Sequence, residues 1–86
     1  MHVMAVSTIT DDGSFWDALK VAHGALPAGA GWVFAVASTD GTRAVNVLVH
    51  DSVDRVRDLV EAHAGAFATT EYFEADAANA VGLAGA

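Results

Sequence analysis

Trp32-Val-Phe-Ala-Val-Ala-Ser38, Thr39-Asp-Gly-Thr42, Arg43-Ala-Val-Asn-Val-Leu-Val-His50 and Asp51-Ser-Val-Asp-Arg-Val-Arg-Asp-Leu-Val60 follow one another without a break. They read as a strand, a tight turn, a strand and an amphipathic helix. Asp40-Gly41 is the strongest short-range hairpin signal in the chain. A two-residue type I′ turn there requires positive φ at both central residues. That turn sets Thr39 opposite Thr42, Val36 opposite Val45, Phe34 opposite Val47 and Trp32 opposite Val49. Trp32, Phe34, Val36, Val45, Val47 and Val49 then share one face. Val33, Ala35, Ala37, Ala44, Asn46, Leu48 and His50 share the other. Both faces are largely apolar, whereas a sheet with one wet side alternates apolar with polar residues. The expectation is that helices cover one face and another chain covers the second.

The flanking segments supply the rest of the domain. Residues 2–9, His-Val-Met-Ala-Val-Ser-Thr-Ile, are rich in β-branched side chains and read as a first strand. Asp11-Asp12-Gly13-Ser14 is a loop in which Ser14 or Asp12 is the candidate N-cap, with Asp17 in the first turn. Phe15, Ala18, Leu19, Ala22 and Leu26 recur at helical spacing. Gly24 weakens the end of that helix, Pro27 stops it, and residues 27–31 connect it to the hairpin. Asp51 or Ser52 caps the second helix. Its apolar stripe is Val53, Val56, Val60 and His63, flanked by Leu59, and Gly65 suits its C-terminus. Asp54 with Arg57, and Arg57 with Glu61, fit exposed pairs on its outer side. A fourth strand spans about residues 67–75. Residues 77–86 form an uncharged Ala/Gly-rich tail that could reach a partner subunit, and residues 1–86 read as one domain.

Composition narrows the function classes. A chain of 86 residues buries only about 60–65% of its unfolded surface, which is marginal for a lone domain. Over half the residues are apolar, 53%, which excludes disorder. Much of that share is Ala and Val, which make thin cores and favour burial against a second copy. Four Lys or Arg stand against eleven Asp or Glu, a net charge of -7. Such a surface repels nucleic-acid backbones and anionic membranes. Cysteine is absent, so neither disulfides nor thiolate metal ligands enter the argument. The first ten residues lack the basic and apolar regions of a signal peptide. No run approaches the roughly 18 apolar residues of a membrane helix. The expected location is the cytoplasm.

The order β-α-β-β-α-β is the split βαβ plan of ferredoxin-like α+β domains: a four-stranded antiparallel sheet with two helices on one face. That order, the length, the Asp40-Gly41 hairpin and the Asp51-Ser52-Val53 helix start, together covering residues 2–80, resemble the dimeric α/β-barrel superfamily. Its members include antibiotic-biosynthesis monooxygenases, muconolactone isomerases, EthD-like proteins and haem-degrading monooxygenases. The resemblance implies a homodimer whose sheets close into a barrel, with small ligands held between sheet and helices. Haem-degrading members carry an Asn on the first strand. This chain has none between Met1 and Thr10, which argues against that activity, and no cofactor is implied.

Candidate site residues follow from the hairpin and its surroundings. Asn46 is the misfit: asparagine is depleted in strands and costly to bury without partners. Its small neighbours leave room on that face for helix packing or for a pocket. His50 lies on the same face about 13 Å along an extended strand. His50 and His63 are the first choices for acid–base chemistry, since histidine titrates nearest neutrality. Trp32 and Phe34 would enclose an apolar ligand, and Tyr72 could supply a hydroxyl. His2 reads as incidental and His23 as a surface residue on the Trp16 side of the first helix. No histidine pair has metal-site spacing within a helix, so no metal ligand is assigned. Three functions follow from this reading. The first is a small-molecule-binding barrel protein, with a cofactor-independent monooxygenase- or isomerase-like enzyme as its catalytic form. The second is a non-catalytic oligomeric interaction module, and the third a histidine-based metal binder.

Overall fold

The computed structural model describes residues 1–83. The chain forms β1 (His2–Ile9), α1 (Asp12–Gly24), β2 (Gly31–Ala37), β3 (Arg43–Val49), α2 (Val53–Ala64) and β4 (Ala68–Glu74), in that order. The strands make one antiparallel sheet in the order β2-β3-β1-β4. Each helix therefore bridges two strands that flank a third. This is the ferredoxin-like βαββαβ arrangement expected from the sequence. A short 3-10 turn, Ala77–Asn79, follows β4. The remainder of the expected tail at 84–86 lies outside the described residues. Among the described residues, no helix is long and apolar enough to cross a membrane.

The core lies between the sheet and the helices. Phe15, Leu19 and Ala22 of α1 and Val56, Val60 and Ala64 of α2 are buried. They meet Val3, Ile9, Ala44, Leu48 and Ala68 from the sheet. Ser7 is also buried on this side, and its hydroxyl is paired with Thr70 Oγ1 at 2.8 Å. Few of these side chains are large. Phe15, fully buried, is the only aromatic among them.

Three local features differ from expectation. The N-cap of α1 is Asp11, whose carboxylate accepts from the Ser14 N–H at 3.2 Å and the Ser14 hydroxyl at 3.0 Å. Ser14 therefore donates to the cap and is not the cap itself. The second helix, by contrast, is capped by Ser52, one of its two expected caps, which accepts from the Arg55 N–H at 3.1 Å. The hairpin turn is not type I′. Of its residues only Gly41 has a positive φ, 75°, and the Gly41 N–H donates to the Ser38 carbonyl at 3.1 Å. Asp40 replaces the second positive-φ residue with side-chain hydrogen bonds. Its Oδ1 accepts from Ser38 Oγ at 2.7 Å, Thr42 N at 3.0 Å and Thr42 Oγ1 at 2.7 Å.

The third difference is a β-bulge. Phe34↔Val47 and Val36↔Val45 pair as expected, but Trp32 pairs with Leu48 instead of Val49, leaving Val33 as the extra residue. A one-residue slip sends a side chain to the opposite face. Trp32 thus leaves the open face and joins Asn46 and Leu48 on the helix side. The open face keeps Phe34, Val36, Val45, Val47 and Val49, continued by Met4 and Val6 of β1 and Phe73 of β4. No helix covers it. Phe34, Val36 and Phe73 are 43%, 54% and 48% exposed.

Asp40 gives the turn a pH signature. Its carboxyl is held at about 2, below the usual 3.8, first by the Ser38 hydroxyl and then by the Thr42 N–H and hydroxyl. The folded hairpin therefore favours the anion. Its contribution is complete above the unfolded value of 3.8 and is lost as pH falls through about 2. Asp40→Ala should lower the urea midpoint most above pH 3.8, with the gap to the parent protein narrowing as acid is added. A gap independent of pH would show that the carboxylate is not what holds the turn.

Candidate functional site

The bulge creates the most distinctive site in the molecule. α1 presents Trp16, Leu19, Lys20 and His23 at the i, i+3, i+4 and i+7 spacing of one helical face. These side chains, with Trp32, Phe34 and Ala35 of β2 and Asn46 of β3, line an open cleft of about 310 Å³. Alanine at position 35 contributes almost no side chain, and the room it leaves is the cleft.

Asn46 sits at the base and is only 1% exposed. Its Oδ1 accepts a hydrogen bond from Trp32 Nε1 at 3.1 Å. An indole nitrogen only donates, so this contact fixes which end of the amide is oxygen. The Nδ2 group consequently points away from Trp32. Nδ2 has no hydrogen-bond partner among the described residues, yet no fully enclosed side-chain nitrogen or oxygen there lacks one. Asn46 borders the cleft, and the NH₂ end of its amide is the end that Trp32 leaves unused.

Both indole N–H groups are already engaged. Trp16 Nε1 donates to Asp12 Oδ1 at 3.1 Å, and the Trp16 ring stands edge-on to Phe15 at 5.3 Å. The His23 ring lies 6.0 Å from the Trp32 ring. The cleft thus offers apolar aromatic surface from both tryptophans. Its uncommitted polar groups are the Asn46 amide nitrogen, the Lys20 ammonium and the His23 imidazole. Among the described residues, Lys20 makes no ion pair, the single such pair being Arg57–Asp54 at 2.6 Å.

Of the residues singled out from the sequence, Asn46, Trp32 and Phe34 come together here. His50, His63 and Tyr72 do not line the cleft. His50 Nδ1 accepts from the Asp51 N–H at 2.8 Å, and its carbonyl accepts from the Met1 amino group at 3.0 Å. His63 Nδ1 donates to the Leu59 carbonyl at 2.9 Å, one turn back along α2. Tyr72 donates to Glu61 Oε2 at 2.6 Å beneath the Arg57 guanidinium. Burial, and then the Glu61 carboxylate, push the Tyr72 hydroxyl well above the usual phenol range, so it stays protonated near neutrality. Tyr72 thereby ties β4 to α2, while the two histidine rings bond only within their own local segments. No group of three or more His, Asp or Glu among the described residues is placed to hold a metal ion.

His23, Trp16, Leu19 and Lys20 were not assigned to the site from sequence. The signal was present in part: Trp16, Lys20 and His23 share one helical face. That face resembles an ordinary solvated one until Trp32 is brought over to meet it. No family model matches the chain, and neither a curated protein nor a solved structure does.

The Trp32–Asn46 pair makes a prediction about stability. Asn46→Leu removes the acceptor and strands the Trp32 N–H, at a cost of about 1–3 kcal/mol. Replacing both partners, Asn46→Leu with Trp32→Phe, removes the orphan and should recover much of that loss. Urea unfolding of the single and double variants measures the coupling. If the two losses simply added, the hydrogen bond would carry no stability.

Proposed function

We propose that this protein binds a small apolar molecule in the cleft between α1 and the β2–β3 hairpin, and that it does so as a homodimer. The observation that carries the binding reading is a buried asparagine whose amide nitrogen is left for the cleft, surrounded by aromatic surface. Binding pockets combine these two things: apolar walls for affinity and a few placed polar groups for orientation. A volume near 310 Å³ suits a ligand of one or two rings. The reading is put as binding, because His50 and His63, the acid–base candidates of the sequence, do not line the cleft.

Assembly rests on a separate observation. The open face gathers Met4, Val6, Phe34, Val36, Val45, Val47, Val49 and Phe73 on a chain of only 86 residues. A contiguous apolar patch on so small a domain marks an interaction surface. A second copy supplies a matching apolar face, as the resemblance to dimeric α/β barrels implies. The same observation favours a second reading, an interaction module with an idle cleft, and the two are separable by experiment.

Two measurements test this. In NMR spectra, 2-methylnaphthalene should shift the indole N–H signals of Trp16 and Trp32, and Ala35→Phe, which fills the cleft, should abolish the shift. Absence of any shift in the parent protein would leave only the module reading. In sedimentation, the parent should run at twice its 8.8 kDa chain mass, and Val36→Lys on the open face should run as a monomer. A parent protein that is already monomeric at micromolar concentration would overturn the dimer.

A further inference from the structure

The polar groups left uncommitted in the cleft specify the ligand more closely than its apolar walls do. This step rests on the binding reading above. The Trp32 indole locks the Asn46 amide so that its NH₂ end, and not its oxygen, is available. A ligand atom placed there must accept a hydrogen bond. A purely hydrocarbon guest would leave that donor buried and unpaired, which carries the full desolvation penalty.

Charge points the same way. Lys20 is the only lysine in a chain of net charge -7. Lys20 borders the cleft, and its ammonium has no carboxylate in pairing range among the described residues. Asp12, the acid at the Trp16 end, has its Oδ1 occupied by the Trp16 N–H and does not line the cleft. Asp17 lies one turn back along α1 and also stays outside it. The acids that set the overall charge act only weakly beyond a screening length of about 8 Å. Within the cleft, the charged and donating groups are cationic or neutral, and none is an acid.

We propose that the cleft takes a small planar aromatic carboxylate. Its ring lies against Trp16 and Trp32, and a carboxylate oxygen accepts from Asn46 Nδ2 on the side of Lys20. A charge-assisted bond to the amide is stronger than a neutral one. The tryptophans contribute ring faces and no hydrogen bonds, because both N–H groups are engaged within the protein.

The test compares three probes of similar shape: 2-naphthoate, 2-naphthamide and 2-methylnaphthalene. Affinities are read from the Trp16 and Trp32 indole N–H signals. 2-Naphthoate should bind at least about tenfold more tightly than 2-methylnaphthalene, with 2-naphthamide between them. Lys20→Gln, a change at an exposed position, should weaken 2-naphthoate by up to about fivefold and leave 2-methylnaphthalene unaffected. The double variant Asn46→Leu with Trp32→Phe keeps the apolar walls and should lose the preference for 2-naphthoate, read on Trp16 alone. Equal binding of 2-naphthoate and 2-naphthamide would overturn the carboxylate assignment, as would a preference that survives the double variant. Binding of 2-methylnaphthalene as tight as that of 2-naphthoate would overturn it while leaving the cleft a binding site. Silence of all three probes would instead remove the binding reading itself.

Discussion

The hydrogen bond from Trp32 Nε1 to Asn46 Oδ1 ties edge strand, core and cleft together. Asn46 lies in β3, an inner strand, on the side the helices cover. A buried primary amide without a partner there would cost several kcal/mol in a domain whose whole stability is of the order of 5–15 kcal/mol. Trp32 can reach it only because the extra residue at Val33 turns the indole to the helix side. Without the bulge, regular alternation would place Trp32 on the open face and leave Asn46 facing Ala35. The polar residue, the bulge and the indole therefore require one another.

That interlock also explains why the helix layer stops short of β2. α1 buries Phe15, Leu19 and Ala22 against the sheet and α2. The outer side of α1, with Trp16 and Lys20, is left beside the hairpin's edge. Alanine at 35 does not fill the gap between them, and Trp32 closes only one side of it. A larger residue at 35 would complete an ordinary core. The chain has instead a wall of rings around a small vacancy with a hydrogen-bond donor at its base, and packing alone does not require that combination.

Much of the architecture was legible because the strongest signals were local. Asp40-Gly41 located the hairpin, and Phe34↔Val47 and Val36↔Val45 follow from it. This held although the turn differs in type, because Asp40 secures it through side-chain bonds while preserving the register. The bulge was not legible. Val33 is neither glycine nor a turn former, and what selects its place is the long-range demand of Asn46 for a partner. The α1 cap was missed by one residue for a related reason: Asp11, Asp12 and Ser14 are all competent caps, and only the path of the chain leaving β1 decides among them. Asn46, Trp32 and Phe34 could be named from the hairpin. His23 and Lys20 could not, because helical spacing gives their face but not what stands opposite it.

The two edges of the sheet are built differently, and this bears on how the molecule associates. β4 carries Glu71 and Glu74, and Thr69 beside them, so its edge is polar and charged. Charged edges discourage strand addition. β2 reads Gly-Trp-Val-Phe-Ala-Val-Ala without a charge, and its protection is the bulge, which breaks regular pairing at Val33. The polar corner formed by Thr8, Thr69 and Glu71 on the open face lies on the β4 side as well. Apolar surface extends toward β2, where the Phe34 side chain faces the open side of a strand that also borders the cleft. Any chain packed on the open face near β2 must therefore lie beside the same stretch of strand that borders the cleft. Cleft and face share that stretch of β2, so a chain docked on one side bears on the strand that walls the other.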